Sequence, residues 1–335
     1  MPGNLVIRLK GMGDIIHLIP ALRVLRHNFP SEDFFFLCQK PFGQIVPSSL
    51  KINLIEVGKK PSTLETLRLI KFIRSKRFDR LFDFFGNPRT AIISLFSAIP
   101  WRAGFDYRVR KYAYHTVFRP PDSNKYLPEL FREFLEFFKI EGPVKSPELQ
   151  IEESAMLKAS DFFLGKKTGK PLLGVNPHAT YPSKAWPIKH FENFIRLWHD
   201  NTGERTIVFW GPGEQPAAQR LIESLSPALA FTHPPLALRE LAAFISKLDV
   251  FLTTDSGPMN LAWAMGIPTV ALFGPTTRRA VSPRGPNHLV LFHPNLSCLE
   301  CHKEVCKDGR CMSEISPHWV LQRMTEKFPQ WFSPK

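Results

Sequence analysis

The sequence predicts an α/β protein of two domains, each a parallel sheet wound with helices on both sides, and three observations carry that expectation. Short apolar strands alternate with helical patterns along almost the whole chain. The alternation breaks once, where Ile140-Glu-Gly-Pro-Val-Lys-Ser-Pro147 gathers glycine and proline and reads as a linker. A length of 335 residues exceeds one ordinary core and suits two. The expected domains are residues 1–145 and 146–335, facing each other across a cleft lined by glycine turns from both.

The first element, Leu5-Val-Ile-Arg-Leu9, is an apolar strand that runs into Lys10-Gly-Met-Gly-Asp14 and then into Ile15-Ile-His-Leu-Ile-Pro-Ala-Leu, whose apolar positions recur at helical spacing. Gly11 and Gly13 are expected to turn the backbone tightly. Asp14 then opens a helix, where its plain role is an N-cap and its chemical role is a carboxylate that takes a proton at a cleft. Further strands are expected at 33–38, 53–57, 78–85 and 101–105, with helices between.

Beyond the linker, strands are expected at 172–176, 206–210, 249–253 and 269–273, with helices centred near 195, 220, 242 and 262. The loop after the first of these places Thr180, Ser183 and Lys184 at the carboxyl end of a strand, where ligands bind in open α/β sheets. A hydroxyl and an ammonium there suit a phosphate, although a proline-rich surface loop has the same composition. Gly211-Pro-Gly-Glu214 turns the chain into the next helix; Glu214 either meets ligand hydroxyls or complements the helix dipole. Asp255-Ser256-Gly257-Pro258 breaks the strand at 249–253 and starts a helix whose free N–H groups suit a diphosphate, with Asp255 or Ser256 as an ordinary cap otherwise.

Net charge is +14, and it is uneven: residues 1–145 hold 24 Lys and Arg against 13 Asp and Glu, and residues 146–335 hold 20 against 17. Lys59, Lys60, Arg68, Lys71, Arg74, Lys76, Arg77 and Arg80 crowd one stretch; Arg102, Arg108, Arg110 and Lys111 crowd another beside Trp101, Phe105, Tyr107 and Tyr112. That mixture suits an anionic lipid surface or an anionic substrate. No recognised nucleic-acid module accompanies it, so nucleic acid is not expected as a partner. No apolar run approaches the roughly 18 residues of a spanning helix. The start of the chain enters a strand directly, without the pattern of a secretion signal, so the expected location is the cytoplasm. Four of the five cysteines, Cys298, Cys301, Cys306 and Cys311, fall within fourteen residues, leaving a choice between a structural zinc or iron–sulfur cluster and free thiols.

The order and spacing of Gly11-Met-Gly-Asp-Ile-Ile-His-Leu-Ile-Pro-Ala-Leu22, Ser183-Lys-Ala-Trp-Pro187, Gly211-Pro-Gly-Glu214 and Thr254-Asp-Ser-Gly-Pro-Met-Asn-Leu-Ala262 resemble glycosyltransferase family 9, the bacterial heptosyltransferases of lipopolysaccharide inner-core synthesis. The resemblance covers nearly the whole chain. It implies two facing Rossmann-type domains of GT-B type, the acceptor held by the first and the nucleotide-sugar by the second. It also implies inverting transfer of L-glycero-D-manno-heptose from ADP-heptose to an anionic inner-core acceptor, with no cofactor required for catalysis.

On that resemblance Asp14 matches the general base, and Lys184 and Thr180 would hold the donor diphosphate with the amides of Ser256 and Gly257. Asp255 matches a residue that contacts the donor sugar; Ser183, Gly211, Glu214 and Asn260 complete the donor side, and Lys10, Gly11 and Gly13 the acceptor side. Asn260 stands where the family commonly has His, and Ala179 where some relatives have a second hydroxyl. Both departures bear on donor identity and rate more than on reaction type. The basic first domain would favour the inner-leaflet membrane surface where such acceptors sit. Two other classes share parts of this pattern: a nucleotide-sugar epimerase, which needs an acid and base pair in the donor pocket, and a non-catalytic glycolipid-binding protein, favoured only if Asp14 or Lys184 were missing.

Overall fold

The computed structural model describes residues 3–122, 124–142, 147–169 and 171–332. The chain divides into two compact units, Met1–Gln150 and Ile151–Lys335. The boundary expected between residues 145 and 146 lies outside the described residues.

In the first unit β1 (Gly3–Ile7), β2 (Asp33–Gln39), β3 (Asn53–Val57), β4 (Arg80–Asp83), β5 (Trp101–Phe105) and β6 (Thr116–Phe118) form one sheet in the order β3-β2-β1-β4-β5-β6. Every neighbouring pair is parallel. Because parallel crossovers are right-handed, α1 (Met12–Asn28) lies on one face and α2 (Thr63–Lys76) and α3 (Pro88–Phe96) on the other. The core agrees: Leu69, Ile70 and Ile73 of α2 and Ile93 of α3 share one cluster with Leu5, Ile7, Leu37 and Leu81 of the strands. A fourth helix, α4 (Leu127–Phe137), packs on α1. The strand order reverses between β1 and β4, where Ile7 lies opposite Asp83.

The second unit repeats the design. Its strands are β7 (Leu173–Asn176), β8 (Thr206–Val208), β9 (Ala230–Thr232), β10 (Val250–Thr254), β11 (Thr269–Phe273) and β12 (His288–Phe292), in the order β12-β11-β10-β7-β8-β9 and again all parallel. Around them run α5 (Glu153–Phe163), α6 (Ile188–Thr202), α7 (Gln215–Glu223), α8 (Leu238–Ile245), α9 (Gly257–Ala264), α10 (Arg278–Val281), α11 (Arg310–Ser313) and α12 (Pro317–Lys327). Gly203 closes α6 in the left-handed conformation, with φ 71°, as an unbranched C-terminal stop should. Here the order reverses between β7 and β10, and Asn176 lies opposite Thr253. No described helix is long and apolar enough to cross a membrane.

Three strands are absent from the sequence expectation: β6, β9 and β12. All are edge strands; two have only three residues, and β12 is mostly half-buried, so none carries the unbroken apolar run of a central parallel strand. The strand expected over 78–85 stops at Asp83, whose carboxylate accepts the N–H groups of Phe85 and Gly86 and so turns the chain out of the sheet. Likewise the strand expected to reach Trp210 ends at Val208, because the Trp210 amide donates to His233 Nε2 instead of a ladder partner.

Candidate active site

In open α/β sheets ligands gather outside the carboxyl ends of the strands at the point where strand order reverses. Each unit brings its candidate residues to that point.

In the first unit β1 delivers the turn 10–14. Gly11 occupies the N-cap position of α1 with φ 89° and makes no side-chain cap. A Cβ built there would stand 2.2 Å from Asp14 Oδ2, so only glycine leaves room for the carboxylate. Asp14 is therefore not the N-cap; it sits inside the first turn of α1. Gly13, expected to turn the backbone, is ordinary helix and takes no left-handed φ. Lys10 is exposed at the rim of the turn.

What holds Asp14 is a residue the sequence reading passed over. Arg8 Nη2 lies 3.0 Å from Asp14 Oδ2, while Arg8 Nη1 donates to the Phe84 carbonyl at 2.5 Å. The guanidinium is held over the rings of Phe85 and Phe131, with centroid distances of 5.0 and 5.5 Å. Side-chain exposures of 11% for Arg8 and 32% for Asp14 describe a buried clamp on a carboxylate that solvent or substrate can reach. Arg8 is the one polar residue in the apolar run Leu5–Leu9, which is the signal that could have found it.

Beside it at the end of β4, Asp83 is fully buried, accepting from Tyr114 Oη at 2.6 Å and from the amides of Phe85 and Gly86 at 2.8 and 2.9 Å. Burial raises the titration point of Asp83 although these bonds pull it down, and burial beside Asp83 raises that of Tyr114 as well. The group is a structural lock for the loop after β4.

In the second unit the loop after β7 brings Lys184 back toward the loop after β10. Lys184 Nζ lies 2.6 Å from Asp255 Oδ2, with side-chain exposures of 20% and 12%. The ammonium also stands over the Tyr181 ring at 5.5 Å. One of its three N–H groups thus faces Asp255, and the others can meet an anion. Thr180 is exposed on the same loop. Ser183 faces the other way: it is buried, and its hydroxyl donates to the Lys303 carbonyl at 2.5 Å.

At the end of β10, Ser256 rather than Asp255 caps α9; its Oγ accepts from the Met259 amide at 3.3 Å and lies 3.0 Å from Thr253 Oγ1. Pro258 has no N–H, so any anion at this helix end would meet the amides of Ser256 and Gly257. Asn260 is buried and donates to the Ser256 carbonyl at 3.0 Å, while its Oδ1 has no partner among the described residues. Glu214 turns back on its own loop, accepting from the Gly211 amide at 2.7 Å.

His178, also passed over, is half-buried, and its Nε2 has no partner among the described residues. Burial lowers its titration point, and the nearby Glu214 carboxylate partly offsets that.

The four clustered cysteines differ in burial. Cys298 is exposed and Cys311 buried, packed so closely on Gly274 that a Cβ there would stand 2.7 Å from its sulfur. Cys311 joins the core with Met312 and Ile315, and burial first, then the charges of the other three thiols, raise it to about 11. Among the described residues no three His, Cys, Asp or Glu side chains are placed to share a metal ion. Among the described residues this geometry shows no metal set at Cys298, Cys301, Cys306 and Cys311, and Cys311 packs as a core side chain.

Over residues 66–311 the chain matches glycosyltransferase family 9 (heptosyltransferase). It is 24% identical over 324 residues to lipooligosaccharide heptosyltransferase 2 of Campylobacter jejuni, covering 93% of this chain and 95% of that one. The crystal structure of the glycosyl transferase family 9 from Veillonella parvula superposes with a TM-score of 0.85 at 22% identity, covering 98% of each chain. Escherichia coli heptosyltransferase WaaC with ADP-2-deoxy-2-fluoro heptose gives 0.73 at 22% identity, covering 97% of this chain and 99% of that one.

Proposed function

This chain belongs to glycosyltransferase family 9, and from that premise we propose that it transfers L-glycero-D-manno-heptose from ADP-heptose to the inner core of lipopolysaccharide with inversion. The enzyme class follows from the family. Support for a heptosyl donor comes from the names of its relatives, among them a lipooligosaccharide heptosyltransferase and a structure with a fluorinated ADP-heptose.

The observation that carries the reading is the placement of a clamped carboxylate at one strand reversal and an ion-paired lysine at the other. Asp14 is the general base: held by Arg8, it takes the proton of the acceptor hydroxyl as that oxygen attacks the anomeric carbon. The bond from that carbon to the diphosphate oxygen breaks, and its electrons leave with ADP. Lys184, Thr180 and the amides of Ser256 and Gly257 meet the growing diphosphate charge. Asp255 takes the donor sugar's hydroxyls while keeping Lys184 in place. Glu214, Gly211 and Asn260 complete the donor side, and Lys10 with the turn at Gly11 and Gly13 the acceptor side. These residues carry out the transfer by proton removal and charge stabilisation, so no cofactor enters any step. The basic surface of residues 1–145 draws the enzyme to the inner leaflet where such acceptors lie.

The test is ADP release from ADP-heptose, measured with lipopolysaccharide acceptors lacking successive core sugars. Release should depend on one acceptor and fall about a hundredfold or more in Asp14→Ala. Near-normal turnover by that variant would overturn the assignment of the base. Silence with every acceptor would remove the proposed donor.

A further inference from the structure

We infer that the outward side of α2, α3 and the 3₁₀ segment Arg108–Ala113 is a docking surface for an anionic lipid bilayer. The inference deepens the proposed function by naming the membrane-facing side, and only the choice of leaflet rests on that reading. The crossover rule puts all three segments on one face of the first sheet, and α3 packs through Ala91 on Ala113 of the last segment and on Tyr114 just beyond it.

Their inward sides are ordinary core, but their outward sides are not ordinary surface. On α2, Leu64 and Leu67 are 56% and 58% exposed. Ile92, Leu95 and Phe96 line the outer side of α3, each about half exposed, and Val109 and Tyr112 project furthest, at 77% and 75%. Soluble proteins scatter single apolar residues, whereas seven on three packed segments make a patch.

Charge complementarity selects the occupant. Arg68 and Lys71 follow Leu64 and Leu67 at four-residue spacing and so share their side of α2. Arg108 and Lys111 flank Val109 and Tyr112, the Lys111 ammonium lying 5.7 Å from the Tyr112 ring centroid. Of the acids nearby, Glu65 holds the Ser62 amide of its own capping box and Asp106 pairs with Lys111 and Arg119. Apolar side chains that enter the headgroup boundary, beside cations that meet lipid phosphates, are the two requirements of interfacial binding.

The experiment is co-sedimentation of the full chain with vesicles of phosphatidylcholine alone, or with phosphatidylglycerol as roughly a third of the lipid. The wild type should partition to the anionic vesicles, weakly to the neutral ones, and less as salt rises. Arg68→Gln with Lys71→Gln should weaken partition roughly thirtyfold, from the usual contribution of each surface cation. Val109→Ser with Tyr112→Ser should weaken it about tenfold or more. Leu164→Ser with Val305→Ser, at 81% and 72% exposure in the second unit, should change nothing.

Each variant should keep the wild-type unfolding midpoint and the wild-type transfer rate to a soluble, delipidated acceptor. That rate separates this inference from the proposed function, because loss of all transfer with vesicle binding intact would sink only the latter. No partition by the wild type, or equal partition by the variants, would overturn the docking surface. So would self-association that the Val109 and Tyr112 changes relieve, which would assign the patch to a second copy of the chain.

Discussion

Asp14 is held in place by two neighbours that do opposite things, and each gives a prediction. Arg8 grips one carboxylate oxygen while tied to the Phe84 carbonyl, so the position of Asp14 depends on a side chain that need not touch substrate. Arg8→Ala should lower kcat roughly ten- to a hundredfold with the donor KM little changed, the pattern of a misplaced base rather than lost binding. Added guanidinium should restore part of the rate in steady-state assays, and Arg8→Lys, with one point charge for a planar fork, should restore less than half. A purely structural role for Arg8 predicts no such rescue. Gly11 acts by absence: its left-handed φ and the 2.2 Å approach of Asp14 both exclude a side chain. Gly11→Ala should therefore cut turnover at least tenfold while shifting the unfolding midpoint by only a few degrees, from roughly 1–2 kcal/mol of backbone strain. An unimpaired Gly11→Ala enzyme would show that Asp14 is free to move without consequence.

At the scale of elements, the proposed donor side rests on two loops that leave β7 and β10 on either side of the strand reversal. The Lys184–Asp255 pair is the bond between them. Lys184→Met should raise the donor KM about tenfold or more, because a charge-assisted contact to the diphosphate is lost and a half-buried carboxylate is left uncompensated. Asp255→Asn should lower the unfolding midpoint less than Lys184→Met, because the amide can still accept from the ammonium; equal destabilisation would argue against the ion pair. Much of this was legible in the sequence. Central parallel strands are continuous apolar runs, so β7, β10 and β11 lie within a residue of the expected bounds, whereas β1 starts two residues earlier than the run 5–9 and β4 is shorter than 78–85; glycine or proline punctuates each loop that carries chemistry. What stayed hidden depends on tertiary partners: edge strands too short for a pattern, Asp83 ending β4 through its own carboxylate, and Ser183 turned to the Lys303 carbonyl. The cysteine spacing reads as a ligand set, but packing of Cys311 against Gly274 is invisible to spacing. The matches to motifs located the loops; the pairing of Asp14 with Arg8, and of Lys184 with Asp255, required coordinates.

Across the whole molecule, ionisable groups are distributed so that acid should weaken the second unit, while in the first unit Asp83 opposes His115 and Glu65. In the second unit burial lowers the titration points of His178, His190, His233 and His288, the last to about 4. An imidazole whose folded value lies below its unfolded value binds protons more readily when unfolded. Its contribution is full above roughly pH 6.5 and is lost as pH falls toward the folded value. The first unit carries a reverse case in Asp83, whose raised value makes the folded state the better proton binder and so offsets there the acid loss at His115 and Glu65. Six of the seven tryptophans, all but Trp101, lie after residue 150, which makes tryptophan fluorescence a reporter of the second unit. Lowering the pH from about 7.5 to about 5 should drop the fluorescence-detected midpoint by roughly 5 °C or more. Circular dichroism, which averages both units, should move less. Replacing His288, whose Nδ1 has no hydrogen-bond partner among the described residues, by Leu should remove part of the acid sensitivity without lowering the midpoint at pH 7.5. A midpoint independent of pH across that window would mean the buried imidazoles are charged in the folded state. Their burial among apolar neighbours and the Lys327 charge beside His288 argue against that.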